Sequence, residues 1–148
     1  EKVFKDGWFK TGDLGYIDDD GYLFLCGRAK NVIVLKNGKN IYPEEIETLI
    51  SHLAYVEENM VFGAQRKNDA HDLTIAAKIV YNKEYVNTHF GNIRKDELNN
   101  IINKDISNIN STMPSYKHIK RLFITDEPTI KTTTAKIKRH EEIKKINI

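Results

Sequence analysis

The chain has 148 residues, 40% of them hydrophobic, which is the size of one ordinary domain with enough apolar side chains for a core. Its 23 basic and 21 acidic residues leave a formal charge of +2, too small and too evenly mixed to indicate nucleic acid as the main partner. The single cysteine, Cys26, excludes an intrachain disulfide and a cysteine metal cluster. No apolar run approaches the ~20 residues of a membrane span, and we expect a cytoplasmic protein.

Two β-hairpins are predicted in the N-terminal part of the chain. An Asp-rich turn over residues 18–21 ends in glycine and divides the aromatic and aliphatic residues of 15–25 into two runs. A further apolar run, 32–35, is followed by a turn over residues 36–40, in which Gly38 permits positive φ. This part of the chain should therefore be rich in short strands.

A helix is predicted from residue 43 to about residue 52. Pro43 suits the first helical position because its missing N–H donor costs nothing there, and Glu44 and Glu45 complement the positive end of the helix dipole. Apolar residues then recur at i, i+3, i+4 and i+7 and define one buried face. These residues are Ile46, Leu49, Ile50 and Leu53.

Two strands and a long helix are predicted in the middle of the chain. The strands cover residues 56–64 and 73–81 and are joined by a polar loop, 65–72. A helix that begins near residue 93 and ends at 113–114 carries an apolar stripe, with asparagines on the opposite, solvated face. The stripe consists of Leu98, Ile101, Ile102, Ile106 and Ile109.

The C-terminal part adds a third strand over residues 119–124, a Thr-rich loop over 128–135 and a short helix over 139–147. Strands and helices are mixed and hairpins are present, which is typical of the α+β class.

Three motifs near the N-terminus carry a family resemblance. They are Trp-Phe-Lys-Thr-Gly-Asp at residues 8–13, Gly-Arg-Ala-Lys at 27–30 and Asn-Gly-Lys-Asn-Ile-Tyr-Pro-Glu-Glu-Ile-Glu at 37–47. A fourth motif, at residues 128–139, contains Pro, Thr, Ala-Lys and Arg and resembles a pattern of Pro, Thr, Gly-Lys and Arg in the same family. The chain thus resembles the adenylate-forming enzymes, the superfamily of acyl-CoA synthetases, peptide-synthetase adenylation domains and firefly luciferase. The spacing from Arg28 to Gly38 looks most like that of the long-chain fatty acyl-CoA synthetases.

The resemblance implies two domains. Residues 1–29 would be the strand-rich tail of a large N-terminal domain, and residues 30–148 a small, mobile C-terminal lid. The lid would contain a β-hairpin and a central, roughly three-stranded sheet packed by helices. The chain would then be a piece of a longer protein, with its own N-terminal domain as a partner. We expect it to be inactive alone, because no phosphate-binding loop is present in the sequence.

The resemblance also implies that Asp13 and Arg28 bind the ribose of ATP. A carboxylate has two acceptor oxygens for the ribose hydroxyls, and the planar donors of an arginine fix one of those oxygens in place. Without the neighbouring motifs, residues 11–13 would predict only a tight turn, and Arg28 a solvated surface side chain. Lys30 falls at the family's hinge, where backbone torsions change as the lid rotates; by itself it would be a loop lysine.

Gly38 and Lys136 are implied to serve the two half-reactions. At Gly38 the pantetheine arm of CoA would pass close to the backbone, although the glycine could equally serve only its own turn. Lys136 would bridge the substrate carboxylate and the α-phosphate of ATP, which otherwise repel each other. Ala135 stands where the family has glycine, and Lys131 and Lys138 are rival lysines in the same loop. A basic solvated tail would be the interpretation without the other motifs.

The implied reaction converts a fatty acid, ATP and CoA to acyl-CoA, AMP and pyrophosphate through an acyl-adenylate, with lid rotation between the steps. Mg²⁺ would be carried by ATP and the missing domain, because the histidines show no metal-ligand spacing and we predict no metal held by this chain. The full-length enzyme could associate peripherally with a membrane. Two alternatives are an adenylation domain that loads a carrier protein and a non-catalytic nucleotide-binding or interaction module of the same fold.

Overall fold

The N-terminal part of the chain consists of antiparallel hairpins. The computed structural model describes residues 3–66 and 69–146. Strand β1 (Phe4–Lys5) pairs with β2 (Trp8–Phe9), and β3 (Asp13–Ile17) pairs with β4 (Leu23–Arg28). In the turn between β3 and β4, an oxygen of the Asp18 side chain accepts hydrogen bonds from the backbone N–H groups of Asp20 and Tyr22. This Asx turn confirms the hairpin predicted from the Asp-rich sequence.

A second, smaller hairpin leads into the first helix. Strands β5 (Ile33–Val34) and β6 (Asn40–Ile41) are antiparallel, and Gly38 in the turn has a φ of 76°. Helix α1 (Pro43–Ser51) begins at the proline. Both predictions are therefore confirmed, and a short 3₁₀ helix, Ala29–Asn31, separates β4 from this hairpin.

The central sheet has three strands in the order β7-β8-β9. Strand β7 (Val56–Arg66) is antiparallel to β8 (Asp69–Tyr81), and β9 (Ile119–Thr125) is parallel to β8. The predicted polar loop over 65–72 is mostly wrong, because backbone pairing continues through polar residues as far as the pair of Arg66 with Asp69. The prediction for residues 67 and 68 lies outside the described residues.

Three further helices complete the described part of the chain: α2 (Lys83–Phe90), α3 (Lys95–Ser111) and α4 (Arg139–Lys145). Helices α3 and α4 were expected, but α2 was not. Its single buried residue, Val86, gives no apolar stripe that a sequence pattern could reveal. The helix begins because Asn82 caps it, its side-chain oxygen accepting the backbone N–H of Tyr85 at 2.8 Å.

The two faces of the central sheet carry separate apolar clusters. Neighbouring residues of a strand point to opposite faces, so Val61 lies in one cluster and Met60 and Phe62 in the other. The larger cluster packs α1, α2, α3 and the β5–β6 hairpin against one face. The smaller cluster packs Ile137, Ile143 and Ile146, from the C-terminal segment, against the other face.

The fold is thus α+β, and the predicted fold class is confirmed. Within residues 3–66 and 69–146, no helix combines the length and the apolar character needed to cross a membrane.

Candidate functional site

The Thr-rich segment forms a tight hairpin, which we call the lysine hairpin (residues 129–138). Lys131 and Ile137 pair as an antiparallel bridge, and the backbone N–H of Thr132 donates to the carbonyl of Lys136 at 2.8 Å. Farther from the tip, the N–H of Lys138 donates to the carbonyl of Ile130 at 2.8 Å. The predicted loop is therefore ordered by cross-strand hydrogen bonds, and Lys136 follows its turn directly.

The turn of the lysine hairpin requires a left-handed residue. Ala135, which occupies the family's glycine position, has a φ of 58°. This conformation costs a non-glycine residue roughly 1–2 kcal/mol. Hydrogen bonds around the turn maintain it: the N–H of Ala135 donates to the Thr132 carbonyl, and the N–H of Lys136 donates to the Thr132 hydroxyl at 3.1 Å.

The three lysines of this segment have different electrostatic partners. Lys131 forms an ion pair with Glu58, and Lys138 forms one with Glu141 at 3.0 Å. Lys136 is exposed and its ammonium has no ion pair with any described residue. Of the three candidates, Lys136 is thus the one whose charge is available to an anionic ligand, as the predicted role requires.

A buried ion pair lies under the lysine hairpin. Lys78, from the centre of β8, contacts Glu142 of α4 at 2.6 Å, and the side chains are 5% and 0% exposed. The second Glu142 oxygen accepts the backbone N–H of Ile130 at 2.6 Å. Burial by itself would raise the pKa of Glu142, but these hydrogen bonds and the charge of Lys78 outweigh it and hold the pKa below the ordinary value.

Arg139 connects the end of the lysine hairpin to the opposite side of the sheet. Its guanidinium donates to both carboxylate oxygens of Glu47, in α1, at 2.6 Å each. It also donates to the carbonyl of Val61 at 2.9 Å, while Glu47 accepts the N–H of Val61 at 2.7 Å. These long-range partners were not found by sequence reasoning, since no local pattern links residues so far apart.

Asp13 and Arg28 are brought together, as expected for two residues with one ligand. They are paired in register on β3 and β4, and Nε of Arg28 lies 2.8 Å from Oδ1 of Asp13. The Arg28 guanidinium also donates to the carbonyl of Thr11 at 3.2 Å. Both side chains remain substantially exposed, so a ligand can reach them.

The segment around Lys30 contacts the first turn of α1. Lys30 itself is exposed, but Asn31 beside it donates to the Glu44 carboxylate at 2.6 Å. The other Glu44 oxygen is buried, with no hydrogen-bond partner among the described residues. It lies so close to Gly27 that a Cβ there would come within 2.4 Å. Glu44 therefore contacts both sides of the proposed hinge, a role that its place in the sequence did not suggest.

Gly38 lies in open space at the tip of the β5–β6 hairpin, with no atom within 4 Å of a Cβ built there. Beside it is a shallow cavity of about 260 Å³ between this hairpin and strands β8 and β9. The basic residues Lys36, His118 and Lys120 contribute to its lining. The ammonium of Lys39 lies 4.0 Å from the ring centroid of Tyr116, another lining residue.

Gly38 and Lys136 are on opposite sides of the central sheet. The hairpin of Gly38 packs through Ile33 and Ile41 on the larger apolar cluster, whereas the lysine hairpin packs through Ile137 on the smaller one. The structure therefore brings Asp13 and Arg28 together but separates Gly38 from Lys136.

Within residues 3–66 and 69–146, no group of three or more His, Cys, Asp and Glu side chains is placed to hold a metal ion. The carboxylates that contact the lysine hairpin, Glu58, Glu141 and Glu142, are already paired with lysines.

Comparisons with known proteins identify relatives along most of the chain. A family model for the AMP-binding enzyme C-terminal domain matches residues 30–146. Over 141 residues the chain is 39% identical to the 2-succinylbenzoate–CoA ligase of Listeria innocua. This alignment covers 95% of this chain and 26% of the Listeria protein. Over 61 residues the chain is 48% identical to a long-chain-fatty-acid–CoA ligase of Mycobacterium tuberculosis. This alignment covers 41% of this chain and 12% of the mycobacterial protein.

A solved structure of the same kind of ligase is also similar to this chain. The O-succinylbenzoate coenzyme A synthetase of Bacillus subtilis, in complex with ATP and magnesium ion, superposes with a TM-score of 0.65 at 28% identity, covering 95% of this chain and 25% of that one. The chain spans about a quarter of the length of the Listeria relative. Because the match to the long-chain ligase covers less than half of this chain, the long-chain branch receives no specific support.

Proposed function

The chain belongs to the AMP-binding enzyme C-terminal domain family, and from this premise we propose that the full-length protein is an AMP-forming acid–CoA ligase. The observation that carries the proposal is the placement of Lys136 and Gly38 on opposite faces of one sheet. A ligase of this kind needs a cation at the α-phosphate in one step and a passage for a thiol cofactor in the next. One rigid domain can supply both by presenting its two faces in turn.

In the first half-reaction, a carboxylate attacks the α-phosphate of ATP and pyrophosphate leaves. Lys136 bridges the two anions, since its ammonium has no ion pair among the described residues, whereas Lys131 and Lys138 are paired with Glu58 and Glu141. Asp13 and Arg28 hold the ribose. Their ion pair keeps both side chains in a fixed orientation, so the nucleotide meets preformed acceptors and donors. Mg²⁺ enters with ATP and is held by groups outside this chain.

In the second half-reaction, the thiol of CoA attacks the acyl-adenylate and AMP leaves. The open space at Gly38 admits the pantetheine arm close to the backbone. The neighbouring cavity is lined by Lys36, His118 and Lys120 and also by Asp72. Of these residues, we assign the exposed Lys120 to the phosphates of CoA. A carrier protein would need only the pantetheine passage, so a thioester assay with free CoA as the acceptor distinguishes the two.

To present first the Lys136 face and then the Gly38 face, the lid must rotate about the segment at Lys30. We propose the division already expected, with residues 1–29 in the preceding domain and 30–148 in the lid. The close approach of Gly27, in the preceding domain, to Glu44, in the lid, then stabilises one orientation and must be released as the lid turns. The bond from Asn31 to Glu44 lies within the lid and holds Glu44 in place.

The N-terminal hairpins support a large partner domain. Trp8 is 80% exposed and Leu25 is 71% exposed, and further aromatic and aliphatic side chains of β1–β4 are exposed with them. An apolar surface of this kind is usually covered by other protein. Since the Listeria relative is about four times as long as this chain, we propose that the preceding domain of the same protein covers it.

The acid substrate has two candidates. The match over 95% of the chain favours 2-succinylbenzoate. A fatty acid is the second candidate, because the spacing from Arg28 to Gly38 resembles that of the long-chain branch. Thioester formation by the full-length protein with each acid distinguishes them. We also propose a cytoplasmic location, which would supply both ATP and CoA. A non-catalytic module would form no adenylate with either acid.

The test of this function separates the half-reactions in the full-length protein. We expect Lys136→Ala to lower the rate of adenylate formation by ~10²–10³, the scale of losing one preorganised charge contact. Thioester formation from supplied acyl-adenylate should stay nearly unchanged. Lys104→Ala, on the exposed side of α3, is the matched control and should change neither rate. Equal loss of both half-reactions in Lys136→Ala would reject the assigned role.

A further inference from the structure

We propose that Glu58 is a positioning residue for adenylate formation, which holds the lysine hairpin so that Lys136 alone presents its charge. The inference rests on the proposed function for its catalytic part. Its structural part, the attachment of the hairpin to β7, stands on contacts within this chain and can be tested separately.

Glu58 makes three contacts with the first strand of the lysine hairpin. One carboxylate oxygen accepts the backbone N–H of Thr129 at 2.9 Å and its hydroxyl at 2.5 Å. The other oxygen pairs with the ammonium of Lys131. A carboxylate in β7 thus attaches the hairpin to the central sheet through both backbone and side-chain groups, at a site where Glu58 is only 10% exposed.

The alternation of side chains in an extended segment explains why one carboxylate reaches both residues. Thr129 and Lys131 are two positions apart and lie on the same side of the strand, whereas Ile130 between them has its N–H bonded to Glu142. The strand is therefore held by two carboxylates from different elements, one from β7 and one from α4. Loss of either should let it move.

The contact with Lys131 also has an electrostatic consequence. Lys131 pairs across the hairpin with Ile137, the neighbour of Lys136, so its ammonium belongs to the same small structure. Two unpaired ammonium groups there would repel each other and compete for the same phosphate. Glu58 neutralises Lys131 and leaves Lys136 as the cation offered to ATP.

The ionisation of Glu58 fits this role. Its burial alone would raise the pKa, but the hydrogen bonds from Lys131 and Thr129 outweigh burial and hold the pKa below the ordinary carboxyl value. The group therefore stays charged at neutral pH and keeps Lys131 neutralised.

The catalytic test compares half-reactions of full-length variants. Displacing a catalytic group by ~1 Å can cost ~10² in rate, so we expect Glu58→Ala to slow adenylate formation by about 10- to 100-fold. Thioester formation from supplied acyl-adenylate should change less than about twofold, as expected when the Gly38 face is untouched. Glu58→Gln should lie between wild type and Glu58→Ala, since it keeps an acceptor for Thr129. Adding Lys131→Met to Glu58→Ala should recover part of the lost rate.

The structural test uses amide hydrogen exchange in the same proteins. The N–H groups of Thr132, Ala135 and Lys138 close the lysine hairpin, and their exchange should accelerate about tenfold or more in Glu58→Ala, with β8 amides unchanged. Glu57→Ala is the matched control, because Glu57 is the adjacent but exposed carboxylate of β7.

Different results identify different failures. Hairpin exchange in Glu58→Ala equal to that in Glu57→Ala would overturn the proposal, whatever the activity. Equal slowing of both half-reactions would overturn the positioning role as well. A wild-type protein that forms no adenylate with either candidate acid would instead reject the proposed function, while the exchange experiment still decides whether Glu58 holds the hairpin.

Discussion

Lys78 and Glu142 form an ion pair between the centre of the sheet and the last helix, with 2.6 Å between Nζ and Oε2 and both side chains almost fully buried. Because Glu142 also accepts the N–H of Ile130, this pair connects β8, α4 and the lysine hairpin. The segment that presents Lys136 is thus attached to two buried charges that lie beneath it.

Removing one partner of this pair should be more harmful than removing both charges. Lys78→Met leaves a buried carboxylate without its cation, and we expect a loss of about 3–5 kcal/mol in the free energy of unfolding. The double variant Lys78→Met/Glu142→Gln keeps an acceptor for Ile130 and should lose less. Urea denaturation of the three proteins measures the difference. A double variant less stable than Lys78→Met would contradict this account.

Stability should fall in acid through two carboxyl groups. The folded-state pKa values of Glu58 and Glu142 lie below the unfolded value of 4.5, so the unfolded chain binds more protons in this range. Their contribution is complete above pH 4.5 and is lost as the pH falls through the folded-state values. Lys131 faces Glu58, and Lys78 and Lys145 act on Glu142.

The check is the unfolding free energy of wild type and Glu58→Gln, measured from neutral pH to well below 4.5. The variant lacks one of the titrating carboxyl groups, so its stability should decline less steeply with acid. Parallel curves for the two proteins would show that Glu58 contributes nothing to the acid sensitivity.

Ala135→Gly should stabilise the chain. Ala135 has a φ of 58°, and glycine adopts this conformation without the cost that a Cβ imposes. The gain of roughly 1–2 kcal/mol is partly offset by the greater freedom of glycine in the unfolded chain, about 0.4–1 kcal/mol. We expect a net gain of about 1 kcal/mol in the free energy of unfolding, measured by urea denaturation. A loss of stability would contradict this account, because it would mean that the positive φ of Ala135 costs the folded chain no free energy.

Gly38→Leu should slow thioester formation and leave adenylate formation nearly unchanged. A suitable control is Gly91→Leu, because Gly91 also has positive φ and open space around it but lies at the end of α2. Gly91→Leu should lose at least as much stability as Gly38→Leu, because the φ of 64° and ψ of −146° at Gly91 are essentially restricted to glycine. Half-reaction assays of the full-length proteins then isolate the steric effect. Equal thioester rates in the two variants would refute the CoA passage at Gly38.

The sequence was informative where a local rule decides the structure. Pro43 and the spacing of Ile46, Leu49 and Ile50 predicted α1 correctly, and the Asp-rich turn predicted the β3–β4 hairpin. Helix α2 escaped prediction because it rests on a cap and one buried residue rather than on an apolar stripe. The division at residues 29 and 30 stays a prediction.

In the candidate site, too, sequence reasoning found the residue in a local motif and missed those that contact it from far along the chain. Lys136 could be proposed from its motif, but its supporting carboxylates could not. Glu58 is 71 positions from Thr129, Lys78 is 64 from Glu142, and Glu47 is 92 from Arg139. Contacts over such distances follow from how the sheet, α1 and α4 pack together, and a short sequence window does not contain that information.

The pair of Glu47 and Arg139 has a consequence for association between molecules. Strand β7 is an edge strand, and at Val61 its outward N–H and carbonyl groups are bonded by these two side chains. Unsatisfied edge groups of this kind recruit strands from other chains and start aggregation. The arginine and glutamate occupy the position that an intruding strand would need. Losing Arg139 would therefore do more than loosen the lysine hairpin, because it would expose a site for intermolecular β-pairing.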